Sequence, residues 1–96
     1  MSCAAPDQNL PAAAAPGATL IEGTVSISGE PVGGAYVRLH DATGEFTAEV
    51  VASTSGRFRF YAAPGTWEVR VLSPRGNARQ EVTAEVGVTT TELVLG

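Results

Sequence analysis

From Thr19 onward the chain alternates apolar and polar residues with a period of two, and that rhythm leaves few folds open to it. In "IEGTVSI", Ile21, Gly23, Val25 and Ile27 fall on one side and Glu22, Thr24 and Ser26 on the other. "AYVRLH" sets Ala35, Val37 and Leu39 against Tyr36, Arg38 and His40, and "FTAEV" sets Phe46, Ala48 and Val50 against Thr47 and Glu49. "RFRF" and "WEVRV" repeat the pattern through Phe58, Phe60, Trp67, Val69 and Val71, and "EVTAEV" and "TTTELVL" continue it. Side chains alternate in this way along an extended strand with one buried face. The seven apolar faces must meet one another, which predicts an all-β, two-layer, seven-stranded sandwich over residues 19–96.

The connections agree. "GEPVGG", "DATG", "STSG", "AAPG" and "SPRGN" are rich in residues that favour turns. In Ala63-Pro64-Gly65-Thr66, Pro followed by Gly suits a type II turn, with Gly65 at the positive-φ position. Such turns splay their flanking strands, so this link is expected to be a corner from one sheet to the other. Trp67, in step with Val69 and Val71, is expected in the core rather than in a ligand groove.

Residues 1–18, "MSCAAPDQNLPAAAAPGA", read differently. Pro6, Pro11 and Pro16 interrupt the helix that the alanines favour, which predicts a flexible Ala/Pro-rich tail. The single cysteine, Cys3, rules out an intrachain disulfide and fits a reducing, cytoplasmic setting. Neither a signal peptide nor a membrane-spanning run is expected. The net charge is −4, with six arginines and no lysine, and the arginines are scattered from Arg38 to Arg79. Nucleic acid and anionic membranes need clustered positive charge, so neither is an expected partner.

Few residues offer chemistry. His40 and Cys3 alone make no His/Cys metal site, and no cofactor is expected. His40, beside Asp41, is expected as a surface imidazole, because general-base work needs a substrate in reach. Arg57, Arg59 and Arg70 are expected to share an outward face with Glu68, either as an anion- or partner-binding surface or as cross-strand ion pairs. A thiol on a mobile tail can reach another protein's active site, as sulfur transfer through a thiolate requires. That makes Cys3 the candidate reactive group.

The stretches Gly23-Thr-Val25, Gly29-Glu-Pro31-Val32, Ala35-Tyr-Val37-Arg-Leu39, Gly56-Arg-Phe58-Arg-Phe60 and Pro64-Gly65-Thr-Trp67-Glu-Val69-Arg-Val71 resemble the carboxypeptidase regulatory-like domain. That resemblance implies a seven-stranded, transthyretin-like sandwich. Enzymes of this architecture use more than one histidine: two in hydroxyisourate hydrolases, and two with two tyrosines in intradiol dioxygenases. His40 stands alone here, so a conventional enzyme is not expected.

Gly44-Glu-Phe46-Thr-Ala-Glu-Val50 followed by Gly56-Arg-Phe58-Arg-Phe60-Tyr-Ala-Ala-Pro64-Gly65 is similar to the small actinobacterial proteins often called SseC. Their genes tend to lie beside thiosulfate sulfurtransferases (rhodaneses), and members often begin Met-Cys, where this chain has Met-Ser-Cys. The resemblance implies a non-enzymatic accessory protein linked to sulfur metabolism, a partner or sulfur acceptor of a rhodanese through Cys3. The alternative is a structural or interaction module that uses an open sheet edge for homodimerisation or partner binding.

Overall fold

Each alternating segment is a strand in the computed structural model, which describes residues 17–95, and the strands divide between two four-stranded sheets. In chain order they are β1 Thr19–Ile27, β2 Glu30–Pro31, β3 Tyr36–His40, β4 Phe46–Val51, β5 Arg57–Tyr61, β6 Gly65–Ser73, β7 Gly76–Ala84 and β8 Gly87–Leu95. The predicted two-layer, all-β sandwich is the observed architecture, with one strand more than expected. That strand is β2. Ser28 and Gly29, with φ of 50° and 82°, make a two-residue turn that lays Glu30 and Pro31 back on β1. Two residues are too few to show a periodicity.

In sheet A, β1 lies in the middle. Strand β8 runs parallel to it along one side, in register from Thr19–Gly87 to Ile27–Leu95. The other side is shared end to end by β5, opposite Leu20–Thr24, and β2, opposite Ser26 and Ile27. Sheet B is antiparallel throughout, in the order β4-β3-β6-β7. The link after β5 crosses from sheet A to sheet B, as the Pro64-Gly65 corner predicted, and Gly65 has a φ of 143°. The Trp67 indole N–H donates to the Ala63 carbonyl at 2.9 Å and ties the corner shut. Trp67 is half-buried and packs on the rim of the core.

Ile21, Val25, Phe58, Phe60, Leu93 and Leu95 of sheet A meet Val37, Leu39, Val69, Val71, Val82 and Ala84 of sheet B to form that core. Each larger side chain buried here contributes about 1.5–3 kcal/mol. One inward position of β1 carries no side chain. A Cβ at Gly23 would stand 2.5 Å from the Phe58 ring and 2.6 Å from the Thr91 carbonyl of β8.

The β3–β4 pairing contains the one departure from simple alternation. Leu39 faces Ala48, but His40 faces Phe46, so Thr47 is bulged out of the ladder. The bulge reverses the parity of the strand, and Phe46, expected inside with Ala48 and Val50, lies exposed on the outer face.

The space at Gly23 yields a stability prediction. The Phe58 ring can shift but the Thr91 backbone is held in its ladder, so Gly23→Ala should lower stability by about 2–3 kcal/mol. Urea unfolding should show a lower midpoint with an unchanged slope; a midpoint within error of the parent would show that the strands can part at no cost.

Candidate functional site

The outer face of sheet B carries the densest array of recognition-type side chains, and cross-strand register arranges them in rows. Val51, Tyr36, Leu72 and Asn77 lie side by side on β4, β3, β6 and β7. The next row is Glu49, Arg38, Arg70 and Arg79, and the one after it Phe46, His40, Glu68 and Glu81. Tyr36, Val51 and Leu72 are 52%, 51% and 37% exposed, an apolar row left on the solvent side of a sheet.

The charges are largely matched. Arg38 donates to Glu49 at 2.6 Å, and its guanidinium sits 5.9 Å from the centre of the Phe46 ring. Arg70 donates to Glu68 two residues before it on β6. That hydrogen bond, with the positive charges of Arg70 and Arg79 nearby, holds the Glu68 carboxyl below its ordinary range. Three arginines and three glutamates share the two rows, so the face offers polar recognition without a net positive field. A shallow depression of about 280 Å³ runs between Arg70, Leu72, Asn77 and Arg79.

His40 is not the surface imidazole expected. It is only 7% exposed, because the bulge swings Phe46 over it, edge to face at 6.0 Å. Its Nδ1 donates to the Gly44 carbonyl at 3.1 Å, which leaves Nε2 buried without a hydrogen-bond partner. The imidazole braces the β3–β4 turn. Asp41 does the same from outside: its Oδ1 accepts from the Thr43 hydroxyl and from the backbone N–H of Thr43 and Glu45. These bonds, the Thr43 hydroxyl first, lower the Asp41 pKa.

The predicted grouping of Arg57, Arg59 and Arg70 is not found. Arg57 and Arg59 project from β5 on the outer face of sheet A, and Arg70 from β6 on that of sheet B, so the sandwich stands between them. Arg57 lies 3.8 Å from Glu22 on the neighbouring strand, and Arg59 is opposite Glu22 in register. The Arg57–Glu22 contact is a cross-strand ion pair, the other arrangement that the sequence allowed, whereas Arg70 pairs with Glu68 along its own strand. Cys3 lies outside the described residues. Among the described residues no three His, Cys, Asp or Glu side chains converge as a metal site, and no helix is long and apolar enough to cross a membrane. The row of Val51, Tyr36 and Leu72 was missed. Alternation marks Tyr36 as outward but cannot say which strands stand beside it.

The protein family model "Protein of unknown function (DUF1416)" matches residues 3–95. The chain belongs to this family. An uncharacterized protein of Mycolicibacterium smegmatis is 62% identical over 65 residues, covering 67% of this chain and 72% of that protein. The uncharacterized proteins Rv0814c and Rv3118 of Mycobacterium tuberculosis are each 60% identical over 60 residues, covering 62% of this chain. The matched region spans 60% of the length of each of these two relatives. Among solved structures, a DUF3823 family protein from Parabacteroides merdae superposes with a TM-score of 0.67 at 15% identity. That overlap takes in 81% of this chain and 45% of the other, and it shows a shared fold.

The Asp41 turn gives a pH prediction. A carboxyl with a folded pKa below its unfolded value stabilises the fold above the unfolded value and loses that contribution as pH falls through the folded one. Melting temperature should therefore fall as pH drops below about 4, and Asp41→Asn should flatten that fall while lowering the melting temperature at neutral pH. Parallel acid profiles for the two proteins would remove Asp41 from the account.

Proposed function

We propose that this protein is a non-enzymatic docking module that engages a partner protein through the outer face of sheet B. The exposed row of Val51, Tyr36 and Leu72, lying directly beside the arginine row, carries this reading. Tyr and Arg are the side chains that dominate protein–protein recognition, and apolar groups set among paired charges bury area on docking at small desolvation cost. His40 and Asp41 hold the turn that Phe46 and Arg38 border, so the face is rigid before a partner arrives.

The partner proposed is a thiosulfate sulfurtransferase, with Cys3 as sulfur acceptor. The likeness of residues 44–50 and 56–65 to the SseC proteins supports this, and the family match begins at Cys3 itself. In the transfer, the Cys3 thiolate attacks the outer sulfur of the enzyme's persulfide. A new S–S bond forms on Cys3 as the enzyme's S–S bond breaks, and the enzyme leaves as a thiolate. A cytoplasmic location belongs to the same proposal, since a persulfide needs a reducing setting to turn over.

Two variants separate docking from transfer. Tyr36→Ser with Leu72→Ser should weaken binding to a purified thiosulfate sulfurtransferase by about tenfold or more in calorimetry, with the fold intact. Cys3→Ser should bind as the parent does but lose the single added sulfur atom seen by intact mass after incubation with enzyme and thiosulfate. Binding without an adduct would leave a pure interaction module. An adduct with no effect of the Tyr36 and Leu72 substitutions would move the docking surface elsewhere.

A further inference from the structure

Among the described residues, sheet A ends on β2 and β5 at one side and on β8 at the other, and sheet B ends on β4 and β7. An unpaired strand edge is a template for another strand, and soluble proteins blunt such edges with charge, proline, bulges or short length. Four of these five are blunted. Strand β2 is two residues long and contains Pro31, β5 carries Arg57 and Arg59, β4 holds Glu49 and the bulge, and β7 has Arg79 and Glu81 at its centre.

Strand β8 is not blunted. It runs nine residues as "GVTTTELVL", stays in unbroken register with β1, contains no proline and has one charge, Glu92. Val88, Thr90, Glu92 and Val94 point to its outer face, where Val88 and Val94 are 46% and 58% exposed. We propose that β8 is a homodimerisation edge, pairing antiparallel with β8 of a second copy about a twofold axis at Thr91.

Self-complementarity selects this occupant and this register. A twofold axis perpendicular to the sheet keeps each face on its own side, so only even shifts are allowed. Centred on Thr91, the pairing sets Val88 against the partner's Val94 on the outer face and Thr89 against the partner's Leu93 on the inner one. Both exposed valines gain an apolar neighbour, and Glu92 falls opposite the partner's Thr90. Moving the axis to Glu92 would oppose two carboxylates. Moving it to Thr90 would put Val88 against a glutamate. The Thr91 register also overlaps the full length of both strands and joins the sheets into one, β5-β1-β8 continuing into β8-β1-β5 of the second copy.

The test uses the full chain. Sedimentation at about 100 μM should give close to twice the 9.8 kDa protomer mass, returning toward the protomer on dilution to about 1 μM. Val88→Lys with Val94→Lys places two lysine pairs on the joined edge and should yield a monomer at both concentrations, with its unfolding midpoint retained. The register has its own readout on a Cys3→Ser background. Thr91→Cys should form an intermolecular disulfide on mild oxidation, because the axis brings the two positions directly opposite. Thr90→Cys should not, because its own copy lies two residues along the partner strand and out of bridging range. A monomer at 100 μM, a dimer indifferent to the lysines, or bridging at Thr90→Cys in preference to Thr91→Cys would each overturn the proposal.

Discussion

Everything in the sandwich is referred to the parallel pairing of β1 with β8. The 59 residues from 28 to 86 separate the end of β1 from the start of β8, so the ladder encloses every other strand of the sandwich between its two halves. Parallel strands cannot be joined by a tight turn, and here the rest of the chain is the crossover. The same pairing leaves no room beneath β1 at Gly23, where Phe58 and the β8 backbone converge. With β8 on one flank of β1 and β5 and β2 on the other, sheet A has its order, and sheet B is laid over it by the corner at Pro64.

Much of this was legible in the residues. Strict alternation named the strands and their buried faces, and Ile21, Val25, Val37, Leu39, Phe58, Val69 and Val71 are all in the core. The corner was legible because Pro-Gly restricts the backbone locally, whatever it later packs against. What failed was non-local. A bulge depends on how two strands slide past one another, so alternation puts Phe46 inside and leaves the outward-facing His40 open to solvent, whereas the shifted parity brings Phe46 to the outer face, where it covers His40. Arg57, Arg59 and Arg70 were grouped because alternation assigns each an outward side, yet alternation does not name the sheet. The corner between Arg59 and Arg70 already implied two sheets and therefore two opposite faces.

The outer face of sheet B shows how pairing shapes recognition. Arg38 and Arg70 each spend a carboxylate already on the sheet, so a newcomer meets charges that are satisfied and oriented rather than a bare field. What remains unsatisfied is the apolar row of Val51, Tyr36 and Leu72. Exposed ion pairs add little to stability, but they fix where long side chains lie, and that defines the margin of the apolar row. The braced turn at Asp41 and His40 fixes the other margin.

The β1–β8 ladder also has a mechanical consequence. Thr19, where β1 starts, lies beside Gly87, and Leu95, where β8 ends, lies beside Ile27. The two points are at opposite ends of the same pair of strands, about 27 Å apart at the usual rise per residue. A pull applied through them loads the whole ladder in shear, so its hydrogen bonds share the force and cannot be peeled one at a time. A sandwich held this way transmits tension between whatever is attached before β1 and after β8 without first opening its core.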